Sequence, residues 1–510
     1  MDIFYEWYID VSAKDPNVQK ELYQKVKQYV GAKGYVGYMS YGIIWDEKDE
    51  KFIKKLKSAG VKQKDIQAIV SKLNTQICFP KTNTMHGHGF LCQVKEFDSV
   101  LATLVRQATP DKTFNIQITD SKPDLAAIAA ALNSKPTVMV KLDLSQCDTT
   151  DNTADKPFAQ CSNLIAIATP LVISNGLFEG CVGLKNIVFP EGTTTIGNRS
   201  FYNCSSLAEI PISETITSIG DEAFSGCKAL TTVTIPDSVT NIGYRAFYGC
   251  EGLTEPVMNS VVFAYLPTKY TGTYSIPKGI RSIAGGAFCE CKDLTGVSIP
   301  DTVKTIGNGI FENCVGLTQP IFNSTVFAFL PATFEGGYVI PKKIKTIAGG
   351  AFSSCKDLVS ITLPNSIINI GDNAFSGCAN INYIVLPISV IYIGNETFKN
   401  CVELLSVKMG NSVKSIGDSA FEGCIKLMNV AMPNTVKTIG KEIFKGCTDL
   451  QNATIPDDVP SIEDGSFYNC SKMTDVTISN SVKHIGKEVF SYCHNLSNVI
   501  IPNSVTSIDD

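Results

Sequence analysis

One pattern repeats along most of this chain and limits what the chain can fold into. The pattern is L-x-x-V-x-I-P-x-x-V-x-x-I-G-x-x-A-F-x-x-C-x-x, 23 residues long, as in residues 230–252. Its cysteine recurs at positions 161, 181, 204, 227, 250, 291, 314, 355, 378, 401, 424, 447, 470 and 493. Most steps are 23 residues, the first is 20, and two are 41, which exceeds the period by 18. A fixed period of this length indicates a solenoid, in which each repeat is one coil stacked on the last.

The pattern has a direct structural interpretation within one coil. Val233 and Ile235 alternate with threonines, which is typical of a short strand with one buried face. Pro236 ends this strand because it has no N–H to donate. Phe247 and Cys250 lie three residues apart, as in one helical turn, and are expected to face inward. So few buried side chains cannot offset the entropy of ordering a whole coil, and neighbouring coils must therefore stabilise one another.

The repeated unit resembles the BspA-type leucine-rich repeat (the Treponema pallidum type) of bacterial surface proteins, over about residues 140–508. The resemblance is specific because the whole pattern recurs many times. It implies an α/β-type leucine-rich-repeat solenoid of 23-residue coils, with a parallel β-sheet on its concave face. Members of the family are commonly implicated in adhesion to host proteins or to other cells, and the resemblance implies a similar role here.

The segment before the repeat has a different character. Residues 1–135 are richer in Lys, Asp and Glu, and their apolar spacing predicts alternating strands and helices, among them a strand over 114–118 and a helix over 121–132. We predict a small N-terminal α+β domain over 1–135. Residues 136–160 resume the strand alternation and are predicted to be the N-terminal capping segment, followed by the solenoid over 161–510.

The cysteines of the repeat allow two interpretations. The chain has 18 cysteines, an even number, which suits disulfides in an exported protein. Each repeat cysteine, however, follows a core phenylalanine by three residues and is expected to be a small buried side chain. Stacked coils would place the sulfurs in a line, where each has two equivalent neighbours and no unique partner. We therefore predict a column of free thiols.

Little in the sequence points to catalysis or metal binding. His86 and His88 lie between Cys78 and Cys92, so that a zinc site is conceivable. The cysteine spacing is loose, and residues 85–89 fit a hairpin turn equally well. No P-loop and no nucleophile elbow occur. We predict that the protein is not an enzyme and that it has no catalytic residue, no cofactor and no metal.

Two near-identical insertions account for the long steps, over residues 254–271 and 318–335. Each carries an aromatic pair, Phe263 with Tyr265 and Phe327 with Phe329. One interpretation is a shortened extra coil whose aromatic side chains join the core. The other is an exposed protrusion whose aromatic side chains contact a protein partner. The four residues are candidate protein-binding residues under the second interpretation, and burial of Phe263 and Phe327 would favour the first.

The outward positions of the repeated strand form the best candidate binding surface. These positions are mostly small and polar, which also suits a sheet face that is only solvated. Tyr383, Val385 and Lys408 depart from this composition on adjacent coils. We hypothesise that these three residues mark a contact patch for a protein partner.

Two classes of function follow from these observations. The resemblance favours a surface or secreted adhesin-like protein, whereas the N-terminus lacks the basic and apolar regions of a secretory signal, which favours an intracellular scaffold or sensor. In the second class, residues 1–135 would dock or signal. The net charge of −5, without a long basic run, argues against nucleic acid as a partner, and no apolar stretch is long enough for membrane insertion. A last coil that stops at Asp510 also allows end-to-end self-association.

Overall fold

The computed structural model describes residues 89–105, 108, 112–152, 154–497 and 499–509. The strands and helices predicted before residue 89 lie outside this part of the chain. The described residues belong to two compact units. The first unit ends at Ile216 and also includes Ala223–Val233, and the second consists of Thr217–Glu222 and of the chain from Thr234 onward.

The first unit contains a parallel sheet whose five strands are adjacent in chain order. Helices α1 (Val94–Leu104) and α2 (Leu125–Ser134) follow its first and second strands. Helix α2 begins at Asp124, whose carboxylate accepts a hydrogen bond from the Ala127 N–H at 3.0 Å and so satisfies one free donor of the first turn. The strands of this unit are β1 (Gly89–Cys92), β2 (Thr113–Ile118), β3 (Met139–Asp143), β4 (Leu164–Ala168), β5 (Asn186–Val188) and the short β6 (Thr195–Ile196).

This sheet continues across the predicted domain boundary at residue 135. Strand β2, in the predicted N-terminal domain, pairs in parallel with β3, in the predicted capping segment, with Phe114 opposite Val140. The strand predicted over 114–118 and the helix predicted over 121–132 are both confirmed, with small shifts at their ends. The extent of a domain over 1–135 stays a prediction, because most of that segment lies outside the described residues.

In the second unit, most coils contribute two strands instead of the single strand that we predicted. The first lies at the L-x-x-V-x-I segment, and the strands of this kind are called the front row. They are β11 (Gly272–Ser275), β13 (Leu294–Ser298), β17 (Gly336–Val339), β19 (Leu358–Thr362), β21 (Tyr383–Val385), β23 (Ser406–Lys408), β25 (Asn429–Ala431), β27 (Asn452–Thr454) and β29 (Asp475–Thr477).

The second strand of each coil has two residues and ends at the isoleucine before the position that the repeat usually fills with glycine; these strands are called the side row. They are β7 (Ser218–Ile219), β8 (Asn241–Ile242), β12 (Ser282–Ile283), β14 (Thr305–Ile306), β18 (Thr346–Ile347), β20 (Asn369–Ile370), β22 (Tyr392–Ile393), β24 (Ser415–Ile416), β26 (Thr438–Ile439), β28 (Ser461–Ile462), β30 (His484–Ile485) and β31 (Ser507–Ile508). The insertions add β9 (Val257–Met258), β10 (Val262–Tyr265), β15 (Ile321–Phe322) and β16 (Val326–Phe329).

Successive coils pair in parallel with a constant offset of one repeat. In the front row, Tyr383 lies opposite Ser406 and Ile384 lies opposite Val407. Because the side-chain period of a strand is two, this register keeps each column of isoleucine or valine on the inner face and each column of polar residues on the outer face. The second unit is therefore a parallel-strand solenoid, as the repeat predicted for this part of the chain.

Phenylalanine and cysteine form two further columns inside the second unit. The ring of Phe398 stacks on that of Phe375 at a centroid distance of 5.5 Å and on that of Phe421 at 5.3 Å. The Cys401 thiol donates a hydrogen bond to the Phe375 carbonyl oxygen of the preceding coil, with 3.2 Å between Sγ and O. The thiol is thus a second donor to a buried carbonyl oxygen that also accepts a backbone N–H of its own coil, as Phe375 does from Cys378 at 3.1 Å.

The segment from the conserved glycine to the cysteine closes each coil and is called the cysteine loop. In the coil of Cys250 it contains a backbone hydrogen bond from the Cys250 N–H to the Phe247 carbonyl at 3.3 Å. The residue five positions before the cysteine is in the left-handed region, with φ of 52° at Arg245 and of 52° at Glu396. The same backbone shape at each loop lets neighbouring loops stack.

Candidate functional site

The front row brings the three predicted patch residues onto one face. Val385 and Lys408 are register partners on adjacent strands, and Tyr383 precedes Val385 by two residues and so shares its face. Tyr383 is 47% exposed and Val385 is 45% exposed, although both are large apolar side chains. Lys408 is exposed beside them. The three side chains therefore form one surface patch of aromatic, aliphatic and cationic character.

The rest of this face differs from the patch. The corresponding exposed positions on nearby front-row strands hold small or polar residues, namely Ser360, Thr362, Asn429, Asn452, Thr454, Asp475 and Thr477. Small hydroxyl and amide side chains offer little apolar surface to a partner, whereas aromatic and long cationic side chains dominate the energetics of many interfaces. The patch therefore differs from most of this face, on which Val339 of β17, the register partner of Thr362, is another exposed aliphatic residue at 69%.

Two more exposed apolar residues occur in the same coil as Tyr383, and the sequence analysis missed them. Ile388 is 71% exposed in the turn after the front strand, and Tyr392 is 53% exposed in the side row. Other coils of the second unit place Asp, Asn or Lys at the first position and Ser, Thr, Asn or His at the second, so comparing coils position by position would have found both. Gly410 of the next coil lies against this turn, since a Cβ there would be 2.6 Å from Ile388 Cα.

The inserted aromatic residues are placed differently. Phe263 and Phe327 are fully buried, and Tyr265 is 3% exposed. Phe263 stacks on Phe288 at 4.9 Å, and Phe327 takes the same place in its own coil, so these rings continue the phenylalanine column of the core. The structure therefore favours the shortened-coil interpretation, and these three rings offer no exposed surface to a partner. Phe329 is partly exposed.

The thiols have no nucleophilic character. All sixteen cysteines of the described chain are free, and fifteen of them are buried. Burial raises the pKa of Cys204 and of Cys401 to about 12, because a thiolate would lose its hydration inside the core. At neutral pH these groups are protonated and act as hydrogen-bond donors.

Two other sequence candidates concern metals and membranes. The side chains of the conceivable zinc site, Cys78, His86, His88 and Cys92, lie outside the described part of the chain. Within the described residues, neither helix is long and apolar enough to cross a bilayer.

Comparison with known proteins supports the fold. The chain matches the family model for the BspA type leucine-rich repeat region over residues 151–265, 259–338, 336–447 and 414–510. Among solved structures, a leucine-rich repeat protein from Eubacterium ventriosum is 23% identical, with 63% of this chain and 85% of that chain covered and a TM-score of 0.39. The T. pallidum leucine-rich repeat protein is 30% identical, with coverages of 34% and 83% and a TM-score of 0.32.

A third similar structure is a leucine-rich cell surface protein from Faecalibacterium prausnitzii, 25% identical over 62% of this chain and 79% of that chain, with a TM-score of 0.32. No curated protein matches the chain. The match to the family model covers well over half of the residues and coincides with the coils described above.

Proposed function

Because the chain belongs to the BspA-type leucine-rich repeat family, we propose that it is a non-enzymatic protein that binds a protein partner through the outer face of its front row. The contact patch is formed by Tyr383, Val385 and Lys408. Stacked coils hold these side chains on a rigid surface, so little conformational entropy is lost when a partner binds. Repeat solenoids characteristically present such extended surfaces to other proteins.

The exposure of Tyr383 and Val385 is the observation that carries this proposal. A solvated sheet face needs neither an aromatic nor an aliphatic side chain at its outer positions, and a contiguous group of such side chains is typical of an interaction site. Ile388 extends the apolar surface around the turn of the same coil. A partner that covers this surface would bury aromatic and aliphatic area at the centre and pair an acidic group with Lys408 at the rim.

The family resemblance extends the proposal to a role. We propose that the protein is an adhesin-like protein of the bacterial surface or a secreted one, with an extracellular protein as its partner. Fractionation of the native cells, followed by detection with an antibody, tests this location. Detection on intact cells is the expected result, and detection in the cytoplasmic fraction alone would instead support the scaffold or sensor role.

The contact patch is tested with the double substitution Tyr383→Ala and Lys408→Ala in the full chain. Wild-type and variant chains are immobilised and exposed to a panel of purified extracellular-matrix proteins and, separately, to cell lysate. We expect the variant to lose at least about tenfold in affinity for the partner that the wild type retains, since truncation of central interface residues typically costs about 2 kcal/mol or more.

The matched control is the double substitution Asn429→Ala and Asn452→Ala, which truncates two residues of the same face on following coils. It is expected to leave binding unchanged. Equal binding by the wild type and by the Tyr383 and Lys408 variant would reject the contact patch, and equal loss in both variants would show that the whole face, and not the patch, makes the contact.

A further inference from the structure

The two insertions build the same local structure twice within the second unit. In each, the inserted strand β10 or β16 pairs in parallel with the next side-row strand. The leucine that follows the inserted strand donates its N–H to a carbonyl group of the next cysteine loop. Leu266 bonds to the Ala287 carbonyl and Leu330 bonds to the Ala351 carbonyl, both at 2.7 Å. The shortened coil then returns to the front row without forming a cysteine loop of its own.

The missing loop leaves the flanking cysteine loops facing each other at both insertions. They touch at one equivalent backbone hydrogen bond, from Arg245 N–H to the Gly285 carbonyl at 2.8 Å and from Gly309 N–H to the Gly349 carbonyl at 3.0 Å. Beyond this bond the inserted leucine separates the two loops. Its N–H donates to the carbonyl oxygen of the later loop to which an N–H of the earlier loop would otherwise donate. Each insertion therefore creates a wedge between two loops.

The side chain of Arg245 lies across the first wedge. Its stem passes over Gly286, where an added Cβ would lie only 2.6 Å from Arg245 Cγ. Its Nη2 lies 3.4 Å from the sulfur of Cys289 and 2.8 Å from Oε2 of Glu312. Its guanidinium also lies 4.7 Å from the ring centroid of Tyr248.

The second wedge has no such side chain and contains a cavity of about 740 Å³. Gly309 stands where the first wedge has Arg245, and Ser353 stands where it has Cys289. Gly350 corresponds to Gly286, yet a Cβ on Gly350 would have no atom nearer than 3.5 Å. The volume lies within the range typical of ligand sites, roughly 300–1,000 Å³. Residues that line the cavity include Asn308, Glu312, Phe329, Thr333, Ser353 and Ser354.

In the described chain, the lining of the cavity offers carboxylate oxygens and no cationic side chain. Among the described residues that line the cavity, Asp221 and Glu312 are acidic and none is Lys or Arg. Glu312 already accepts hydrogen bonds from Arg245 and from the Tyr244 hydroxyl through one oxygen, Oε2. Its carboxylate has a second oxygen with which to bind a second cation.

The first unit shows how a carboxylate at this position of the loop binds two cations. Glu179 is two residues before its cysteine, as Glu312 is before Cys314. It pairs with Lys156 through Oε2 at 3.0 Å and with Arg199 through Oε1 at 2.7 Å. Both cations stand five residues before the cysteine of a neighbouring coil. In the two coils that flank Glu312 this position is Gly286 and Gly350, so neither neighbour supplies such a cation.

We propose that the second wedge is a binding site for an arginine side chain of a partner protein. The guanidinium pairs with the Glu312 carboxylate, and the aliphatic stem lies over the bare backbone of Gly350 and beside the ring of Phe329. A partner thereby supplies the side chain that Arg245 supplies in the first wedge. This site does not depend on the front-row patch, since none of the patch residues lines the cavity.

The test uses a short peptide, acetyl-Gly-Arg-Gly-amide, titrated into the full chain and followed by ligand-observed NMR. The comparison peptide contains citrulline, which has the shape of arginine without its charge. We expect saturable binding of the arginine peptide and at least about tenfold weaker binding of the citrulline peptide, because the pairing with Glu312 needs the charge. Equal binding of both peptides, or no saturable binding of the arginine peptide, would overturn the proposal.

The substitution Gly309→Arg should fill the wedge from within and abolish peptide binding. Gly309 has φ of 58°, close to the 52° that Arg245 adopts, and an added Cβ would lie 3.3 Å from Glu312 Oε2, so the new side chain starts beside the carboxylate. Gly465→Arg is the matched control, since Gly465 has φ of 60°, is also five residues before its cysteine and adjoins no shortened coil. It should leave binding unchanged; a loss in this variant would mean that added charge, and not occupancy, weakens binding.

A second variant keeps the test decisive if Gly309→Arg fails to fold. Glu312→Gln retains the size of the side chain and removes its charge. It should weaken binding of the arginine peptide at least about tenfold and leave that of the citrulline peptide unchanged. Unchanged binding of the arginine peptide by Glu312→Gln would also overturn the proposal.

Discussion

At the residue scale, the cysteine of the repeat does more than fill space. Its thiol donates to the phenylalanine carbonyl of the preceding coil, for example Cys424 to Phe398 at 3.0 Å and Cys447 to Phe421 at 3.1 Å. Alanine would remove this second donor and leave a small cavity, while the carbonyl keeps the N–H of its own coil, as Phe398 keeps that of Cys401 at 3.1 Å. The burial of the thiol could be predicted from its distance to the phenylalanine, but its acceptor could not, because the acceptor lies one coil away and only the three-dimensional stacking identifies it.

We predict that Cys401→Ala lowers the free energy of unfolding by about 0.5–1.5 kcal/mol, the typical net contribution of one hydrogen bond, with a further cost for the cavity that the sulfur leaves. Chemical denaturation of the wild type and the variant measures this loss. Cys493→Ala is the control, because Cys493 makes the same bond at 3.1 Å but is partly exposed, so that water can replace the thiol. A cost at Cys401 no larger than that at Cys493 would contradict the assigned role.

The same pair of proteins gives a pH dependence with a defined sign. Burial raises the pKa of Cys401 from 9.0 to about 12, so the folded state favours the neutral thiol. The stabilising contribution of the thiol is complete below pH 9 and is lost as the pH rises through about 12. The difference in unfolding free energy between wild type and Cys401→Ala should therefore shrink over this interval. A difference that stays constant up to pH 11 would be inconsistent with a buried thiol.

At the element scale, the 23-residue period predicts more of the fold than the local strand and helix patterns do. The number of coils, their core positions and the 18-residue excess could be predicted because the pattern repeats exactly enough to align. The side row could not, since a two-residue strand such as Asn369–Ile370 has no alternation to detect. The cavity could not be predicted either, because the two insertions look alike. It depends on one difference in the loops before them, where the first has Arg245 and the second has Gly309.

The shortened coil should be removable as a unit. Deleting residues 318–335 joins Leu317 to Gly336 and restores the L-x-x-Y-x-I-P pattern up to Pro341. We expect this variant to keep a cooperative thermal unfolding transition and to lose the arginine-peptide site, since Phe311 can then stack directly on Phe352. Circular dichroism measures the transition. The control deletion, of 318–326 alone, leaves a distance between Cys314 and Cys355 that matches neither one coil nor two, and it is expected to destabilise the chain. Equal stability of the two deletion variants would contradict removal of the shortened coil as a unit.

At the scale of the whole molecule, the solenoid explains how so uniform a sequence can carry specific sites. The repeated core makes each coil depend on its neighbours, and the outer positions are then free to vary. The family, the solenoid and the front-row face could all be predicted from the repeat, as could the exceptional position of Tyr383. Ile388 and Tyr392 could be predicted only by comparing coils beyond the L-x-x-V-x-I segment, where both interrupt a pattern that other coils keep.

The account depends on stacked coils whose thiols lie inside, and alkylation followed by peptide mass spectrometry tests this most directly. The folded chain is treated with iodoacetamide without reductant, and a second sample is treated after denaturation. We predict that the fifteen buried cysteines of the described chain stay unlabelled in the folded sample and that all of them are labelled after denaturation. Labelling of these cysteines in the folded sample, or their failure to react after denaturation because they are paired in disulfides, would contradict the account.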